Sequence, residues 1–178
     1  MQQALNGKQK TDSSPDGVIE RCCGVIMPIS ATSSYDEKHW ANVQKLIHRA
    51  IESAGLSPLN VWVNDLTDRI SERIIGNIGK LDSSMADISD QNPSVMVGLG
   101  LRLASKKPTI VISSDKSTAP FDISDFHILF YPHDLNMIEM EEFLSSLRLS
   151  IVNKLESYGK GGYTPFLNQI VVDVISPS

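Results

Sequence analysis

The chain has 178 residues, of which 41% are hydrophobic and 21% charged, and its formal net charge is −5. This length and composition are typical of a single soluble globular domain that can bury a core of its own. The negative charge and the single, scattered Lys and Arg residues argue against polymeric nucleic acid and anionic membrane surfaces as partners. No segment has the roughly 18 to 20 consecutive apolar residues that a membrane span requires.

The start of the chain is polar, with too few apolar side chains to offset the entropy of ordering. We therefore expect a disordered leader over residues 1–17, one domain over 18–158 and a tail over 159–178. The leader has no apolar signal-peptide segment, which favours a cytoplasmic protein. Because Cys22 and Cys23 are adjacent, they cannot close a stabilising loop, and we expect reduced, mostly buried thiols. The histidines are scattered, so no metal site is predicted.

Apolar segments of strand length alternate with segments of helical periodicity. Residues 22–27 form a continuous apolar run that ends at Pro28, which is typical of a strand buried on both faces. Residues 34–37 then have the spacing of a capping box, and the helix that follows ends at Gly55. The apolar face of this helix carries Trp40, Val43, Ile47, Ala50, Ile51 and Ala54.

The alternation continues through the middle of the chain. Residues 59–63 predict a second strand, and Ile70, Ile74 and Ile78, spaced by four, predict a helix that ends at Gly79. Residues 81–88 predict a third strand, although its serines are unusually polar for a central position.

A third helix begins at Asn92 and Pro93, because Asn caps free amides and Pro fits the first helical turn. It runs to about Ser105 and is apolar almost all round, so we expect it to be buried. Residues 108–113 and 126–131 predict the last two strands. The final helix is lined by Met140, Leu144, Leu147, Ile151 and Leu155.

Five alternations of strand and helix predict a three-layer α/β sandwich, with a parallel sheet of about five strands covered by helices on both faces. An apolar patch over residues 166–175 follows a glycine-rich turn. Such a patch is typical of an interface, so we expect a homodimer or a larger assembly.

In an open parallel sheet, a ligand binds beyond the carboxyl ends of the strands. Here these positions are residues 28–38, 64–67 and 87–92. The sequence has no glycine-rich dinucleotide fingerprint after a strand, no Walker-type phosphate loop and no nucleophile elbow. Dinucleotide binding of the Rossmann type, phosphoryl transfer and esterase chemistry are therefore not supported, and no cofactor is predicted.

Short motifs occur in a specific order over roughly residues 22–131. In chain order they are residues 23–28, 35–36 with 39–40, 70, 74–78, 82, 87–89, 92–96, 99–101, 107–108 and 120–123. This set resembles the nucleoside 2-deoxyribosyltransferase-like superfamily, and more closely its bacterial branch related to Toll/interleukin-receptor-like proteins. The resemblance implies a flavodoxin-like doubly wound fold. It also implies cleavage of the N-glycosidic bond of a nucleoside, a nucleotide or NAD.

One departure from the family pattern concerns catalysis. In the family, a Glu within a Tyr-Glu-Leu-Gly run stabilises or traps the oxocarbenium-like centre, shortly after an Asn-Pro-Asn-Val run. Here residues 92–96 read NPSVM, and Gly98 stands in the position of the Glu. The resemblance therefore implies a nucleoside- or nucleotide-binding domain with weak or lost cleavage. Two alternatives stay open: an active N-glycoside hydrolase or transferase with a substitute carboxylate, and a structural scaffold.

The substitute carboxylates nearest in the sequence are Asp82, Asp87 and Asp90, of which Asp82 and Asp87 are the candidate catalytic residues. The ligand-binding residues implied by the resemblance are Pro28, Ile29, Ser30, Tyr35, Asp90, Asn92 and Gly98. Free amides and the helix dipole at Asn92 would suit an anionic or hydroxyl-rich ligand. Structural interpretations compete with these roles: Asp87 and Ser89 as caps of the third helix, and Asp82 as the acceptor of a structural hydrogen bond. Trp40 lies on an apolar face and is predicted to be core, which leaves Tyr35 as the better ligand candidate.

Overall fold

The computed structural model describes residues 21–61, 78–115 and 127–168. The strands are β1 (Cys22–Ile26), β2 (Ser57–Asn60), β3 (Ser83–Asp87), β4 (Thr109–Ser114) and β5 (Ile128–Tyr131). The helices are α1 (Glu37–Ser53), α2 (Pro93–Ala104) and α3 (Met137–Gly159), with a short 3-10 turn at Ser89–Gln91. In the described ranges, no helix is long and apolar enough to cross a membrane.

The strands form one sheet in the order β2-β1-β3-β4-β5, and every neighbouring pair is parallel. This is the flavodoxin-like order, and it confirms the predicted α/β class. One face of the sheet packs against α1 and α3, and the other packs against α2, so that the core has two layers. Trp40 is 1% exposed and belongs to the first layer, which confirms its assignment to the core.

The start of α1 differs from the prediction. The helix begins at Glu37, and its N-cap is Asp36, whose carboxylate accepts a hydrogen bond from the backbone N–H of His39 at 2.8 Å. Ser34 is therefore not a capping residue, and the capping-box prediction is wrong. Asp36 takes the role because its extended backbone, with ψ of 171°, lets its carboxylate reach the first turn.

Helix α2 is buried on one side only, which corrects the expectation of burial all round. Its buried residues are Val95, Gly98, Leu99 and Arg102, while Val97 is 46% exposed. A helix that covers one face of a sheet keeps one side in solvent, and α2 does so although most of its residues are apolar.

The close contact of β1 with its neighbours depends on Gly24. A Cβ atom added there would lie 2.4 Å from Leu81 Cδ1 and 3.1 Å from Ser84 Oγ, so a larger residue would force the neighbours apart. Neither described cysteine forms a disulfide bond, and burial raises the pKa of Cys23 to about 12, so this thiol stays protonated at neutral pH.

Several predictions fall on residues outside the described ranges. They are the leader over 1–17, most of the second predicted helix, the loop over 120–123 and most of the apolar tail. The homodimer or larger assembly stays a prediction. Phe166, at the start of the apolar patch, is 42% exposed.

Candidate functional site

Because β3, β4 and β5 are parallel, their carboxyl ends meet at one edge of the sheet. There the sequence places Asp87, Ser114 and Tyr131 as the last residues of the three strands. We call this the carboxyl edge, and the opposite side the amino edge. The residues that join at the carboxyl edge come from the loop after β1, the turn after β3, and the ends of β4 and β5.

Asp87 is the centre of a buried hydrogen-bond network. Its Oδ1 accepts from the backbone N–H of Ser89 at 3.0 Å and from Ser89 Oγ at 2.6 Å. Its Oδ2 accepts from the hydroxyl of Tyr131 at 2.8 Å. Ser89 Oγ in turn accepts from the backbone N–H of Ser114 at 2.7 Å, which connects β3, β4 and β5. Both carboxylate oxygens of Asp87 are therefore engaged within the protein.

The carboxyl group of Asp87 is fully buried and has no cationic partner in the described part of the chain. Burial raises its pKa to about 6, against the opposing effect of the hydrogen bonds from Ser89 and Tyr131. Burial and the nearby Asp87 charge also raise the pKa of Tyr131 well above its ordinary value, so the phenol stays protonated. The carboxyl edge thus contains one buried acid that changes charge near neutral pH.

Asp90 fixes the loop after β1 against the turn after β3. Its Oδ2 accepts from Thr32 Oγ1 at 2.7 Å and from the backbone N–H of Ser34 at 2.8 Å. Partial burial acts to raise the pKa of Asp90, but the hydrogen bonds from Thr32, Ser34 and Ser33 outweigh it and lower the pKa. Asp90 has φ of 55°, in the left-handed region, so the turn is shaped around this contact. The half-buried Asp90 is thus an anion at the rim of the edge.

Tyr35 closes the network on the solvent side. Its hydroxyl forms a short hydrogen bond with Ser114 Oγ, and its ring stacks on His39, with 4.0 Å between ring centroids. Burial lowers the pKa of His39, opposed by Asp36, so the imidazole favours its neutral form. Tyr35 is half-buried. The site therefore combines aromatic rings with hydroxyl and carboxylate groups.

The amino terminus of α2 does not offer the free amides that the sequence predicts. Asn92 Oδ1 accepts from the N–H groups of Ser94 at 3.0 Å and Val95 at 3.3 Å, and the Asn92 carbonyl accepts from Met96 N–H at 3.0 Å. Pro93 has no N–H. The first-turn donors are thus consumed by the cap, so the expectation of free amides at this helix end is wrong, whereas ligand binding at Asn92 stays a prediction.

The other predicted residues divide between the two edges. Pro28, Ile29 and Ser30 follow β1 at the carboxyl edge, and their exposure increases from buried Pro28 to exposed Ser30. Asp82 precedes β3 at the amino edge, where its Oδ2 accepts from the backbone N–H of Cys22 at 3.0 Å. Gly98 lies in the middle of α2 and is buried. The structure therefore separates Asp82 from Asp87 by the length of β3.

The helix-cap interpretation of Asp87 and Ser89 is also corrected, because Asn92 is the N-cap of α2 and Asp87 instead fixes the turn at Ser89.

Sequence reasoning missed four residues of the carboxyl edge: Tyr131, Ser114, Thr32 and His39. Tyr131 and Ser114 have a usable signal, since each ends a predicted parallel strand. Nothing in the sequence indicates that Thr32 would contact Asp90, which is 58 positions away in the chain. Within the described ranges, no three His, Cys, Asp or Glu side chains come together as metal ligands.

No protein-family model and no curated protein matches this sequence. Similar solved structures include a CMP N-glycosidase of Clostridium botulinum, with a TM-score of 0.45 and 15% identity over 71% of this chain and 98% of that chain. A 2-deoxyribosyltransferase of Bacillus psychrosaccharolyticus has a TM-score of 0.45 and 12% sequence identity over 68% of this chain and 95% of that chain. A lysine decarboxylase of Francisella novicida has a TM-score of 0.47 and 14% sequence identity over 78% of this chain and 18% of that chain. The likeness concerns the fold alone, which hosts many activities.

Proposed function

We propose that the carboxyl edge binds a nucleoside, a nucleotide or an NAD-like molecule, and that cleavage of an N-glycosidic bond there is weak or absent. The binding part rests on the ordered motifs of the sequence, which resemble the deoxyribosyltransferase-like superfamily. The loss of cleavage rests on one observation: both oxygens of the buried Asp87 carboxylate are occupied by Ser89 and Tyr131.

Cleavage of an N-glycosidic bond needs a carboxylate beside the anomeric carbon. Gly98 has no side chain, and Asp87 is 0% exposed, so neither brings a carboxylate to a ligand at the surface of the edge. Asp90 is nearer to solvent, but its Oδ2 holds the loop at Thr32 and Ser34. This arrangement argues against the alternative in which one of these acids replaces the missing Glu.

The same edge retains groups that suit a nucleoside. The Tyr35 and His39 rings form a stacked pair that offers an aromatic surface to a base. The Asp90 carboxylate lies at the rim, where its hydrogen bonds from Thr32 and Ser34 hold the loop that carries Tyr35. Binding is thus expected to depend on Tyr35 and Asp90, and not on Asp82 at the opposite edge.

Calorimetry with deoxynucleosides, dCMP and NAD tests binding, and chromatography of the same mixtures tests release of the base. We expect a binding isotherm for at least one of these ligands without accumulation of free base. Asp90→Asn should weaken binding about tenfold through loss of a charged acceptor, whereas the matched Asp82→Asn variant should leave it unchanged. Sustained base release would favour the enzyme, and absence of both binding and release would favour a scaffold.

Restoring a carboxylate to α2 tests the assignment of the missing Glu. Gly98→Glu should raise base release, although a side chain forced into a buried helix face should also cost about 1 to 3 kcal/mol of stability. Gly100→Glu is the control, because Gly100 is exposed and no atom lies within 4 Å of an added Cβ. A folded Gly98→Glu protein that neither binds nor cleaves any of these ligands would overturn the proposal.

A further inference from the structure

A groove of about 310 Å³ lies between β5 and α3, and it adjoins the Asp87 network through Tyr131, which lines the groove and donates to Asp87. From the strand side it is lined by four consecutive residues, Leu129 to Pro132. Because alternate side chains of a strand point to opposite faces, four consecutive lining residues mean that the groove follows the edge of the strand and not one face.

The opposite wall of the groove is one side of α3. Its lining residues are Glu139, Glu142, Phe143 and Ser146, whose spacing of three and four places them on a single helix face. Strand β5 ends the described sheet, with β4 as its single neighbour. The groove is therefore bounded by a sheet edge on one side and a helix on the other, which is a geometry that accepts an added strand.

The lining is apolar in the middle and acidic at the rim. Phe130 is 50% exposed, and the buried ring of Phe143 packs against Tyr131, with 5.5 Å between the ring centroids. Three carboxylates line the groove: Asp115, Glu139 and Glu142. Asp115 accepts hydrogen bonds from the backbone N–H of His133 at 2.9 Å and from its ring at the same distance. In the described ranges, Glu139 and Glu142 form no ion pair, so the rim carries uncompensated negative charge.

Strand β5, with the sequence ILFY, is short at four residues, but it lacks the charged residue and the internal Pro that would prevent another strand from pairing with it. The two residues before Glu139, Met137 and Ile138, are each 77% exposed and add apolar surface to this side of the molecule. A strand edge without a charged residue or an internal Pro, beside exposed apolar side chains, is typical of a surface that pairs with another segment.

Charge selects among the possible occupants. The chain's own C-terminal segment, residues 169–178, contains Asp173 and neither Lys nor Arg, so it would bring a like charge to an acidic rim. Pairing of β5 with β5 of a second copy would bring two sets of the same three carboxylates together. A segment in which Lys or Arg alternates with apolar residues would complement both the acidic rim and the apolar middle of the groove.

We propose that the groove between β5 and α3 binds an extended, basic and apolar segment of a partner polypeptide, which adds a strand to the sheet at β5. Backbone hydrogen bonds to the strand edge supply part of the affinity, and pairing with Glu139 and Glu142 supplies the preference for positive charge. The groove adjoins the proposed nucleoside site at Tyr131, but the acidic residues of α3 that select the peptide are not among the groups proposed to bind a nucleoside, so the failure of either proposal is distinguishable from that of the other.

Fluorescence anisotropy with the full-length protein tests this proposal, with a peptide of alternating valine and lysine as the probe. Two control peptides accompany it: one with glutamate in place of lysine, and one with proline at alternate positions, which cannot form the ladder. We expect binding of the valine–lysine peptide alone. Glu142→Lys should weaken this binding about tenfold, whereas Glu141→Lys, the exposed neighbour outside the groove, should leave it unchanged.

Amide hydrogen exchange locates the bound peptide. The β5 amides that point away from β4 should exchange readily in the free protein and become protected when the valine–lysine peptide is added, whereas those that bond to β4 are protected in both states. Equal binding of the proline peptide, or equal effects of Glu142→Lys and Glu141→Lys, would show unspecific attraction and overturn the proposal. Protection of the outward-pointing β5 amides before any peptide is added would show that the chain itself or a second copy covers the edge, and would also overturn the proposal.

Discussion

The two edges of the sheet each bury an ionisable side chain, but with different kinds of partner. At the amino edge, Arg102 is 0% exposed and donates to the carbonyls of Ile78 at 2.7 Å, Leu81 at 3.0 Å and Pro108 at 3.1 Å. At the carboxyl edge, Asp87 is equally buried and accepts from Ser89 and Tyr131. Backbone carbonyls are fixed by the fold, whereas hydroxyl hydrogens can rotate.

This difference separates a structural edge from one that can change state. Burial lowers the pKa of Arg102 to about 10, so its charge persists at neutral pH. Burial raises the pKa of Asp87 to about 6, so its charge changes within the physiological range, and the surrounding hydroxyls can reorient with it. The charge at the amino edge is therefore fixed at neutral pH, whereas the charge at the carboxyl edge depends on pH.

The largest expected effect comes from breaking the amino edge. Arg102→Met keeps a long apolar side chain but leaves three buried carbonyls without their donor, and it should cost about 3 to 5 kcal/mol in the free energy of unfolding. Urea denaturation measures the change. The control is Arg148→Met, which removes one exposed hydrogen bond to the Ser53 carbonyl and should cost less than about 1 kcal/mol. Equal losses in the two variants would contradict the structural role of Arg102.

The second effect concerns the pH dependence of stability. The folded pKa of Asp87, about 6, lies above the ordinary value of 3.8, so the folded state binds more protons between these values. Its stabilising contribution is therefore full below pH 3.8 and is lost as the pH rises through about 6, by about 3 kcal/mol in total. Asp87→Asn should remove this loss, as measured by denaturation across the pH range.

Asp90→Asn is the matched control, because its effect has the opposite sign. The pKa of Asp90 is lowered in the folded protein, so its contribution is present above the ordinary value of 3.8 and is lost as the pH falls through the folded pKa. Stability of the Asp90→Asn variant should therefore decline less than that of the wild type in strong acid. The raised pKa of Asp87 would be contradicted if, between pH 3.8 and 6, the stability of the wild type rose relative to that of the Asp87→Asn variant.

A smaller effect is expected from a single hydroxyl at the carboxyl edge. Tyr131→Phe removes the donor to Asp87 Oδ2, which should raise the pKa of Asp87 further and cost about 1 to 2 kcal/mol at neutral pH. Carbon NMR of the Asp87 carboxyl group measures the pKa. Tyr35→Phe alters the solvent side of the network and should leave this pKa nearly unchanged, so equal shifts in both variants would argue against a specific role for Tyr131.

Periodicity was sufficient to predict most of the fold. Continuous apolar runs identified β1 and β4, and the Asn92–Pro93 pair located the start of α2 where the structure has it. The first residue of α1 was missed because Ser34 and Asp36 are both good N-caps, and the choice depends on a tertiary contact. Ser34 donates its backbone N–H to Asp90, an interaction that no local pattern contains.

The candidate site was less predictable for the same reason. Strand order brings Asp87, Ser114 and Tyr131 together, and the order of strands follows from packing, not from local sequence. Asp82 and Asp87 are close in the sequence, yet the extended backbone of β3 places them at opposite edges of the sheet. The motif order led to the proposal of a site at the carboxyl edge, and the structure shows that Asp87 lies at that edge and Asp82 does not.

NMR titration with a deoxynucleoside tests the central claim most directly, because it reports on both edges at once. The account predicts amide shift changes in residues 28–35, 89–92 and at Ser114, with no change around Arg102 and Asp82. It also predicts that the spectrum of the deoxynucleoside shows an intact N-glycosidic bond at the end of the titration. Shift changes centred on the amino edge, or free base accumulating in the sample, would contradict the account.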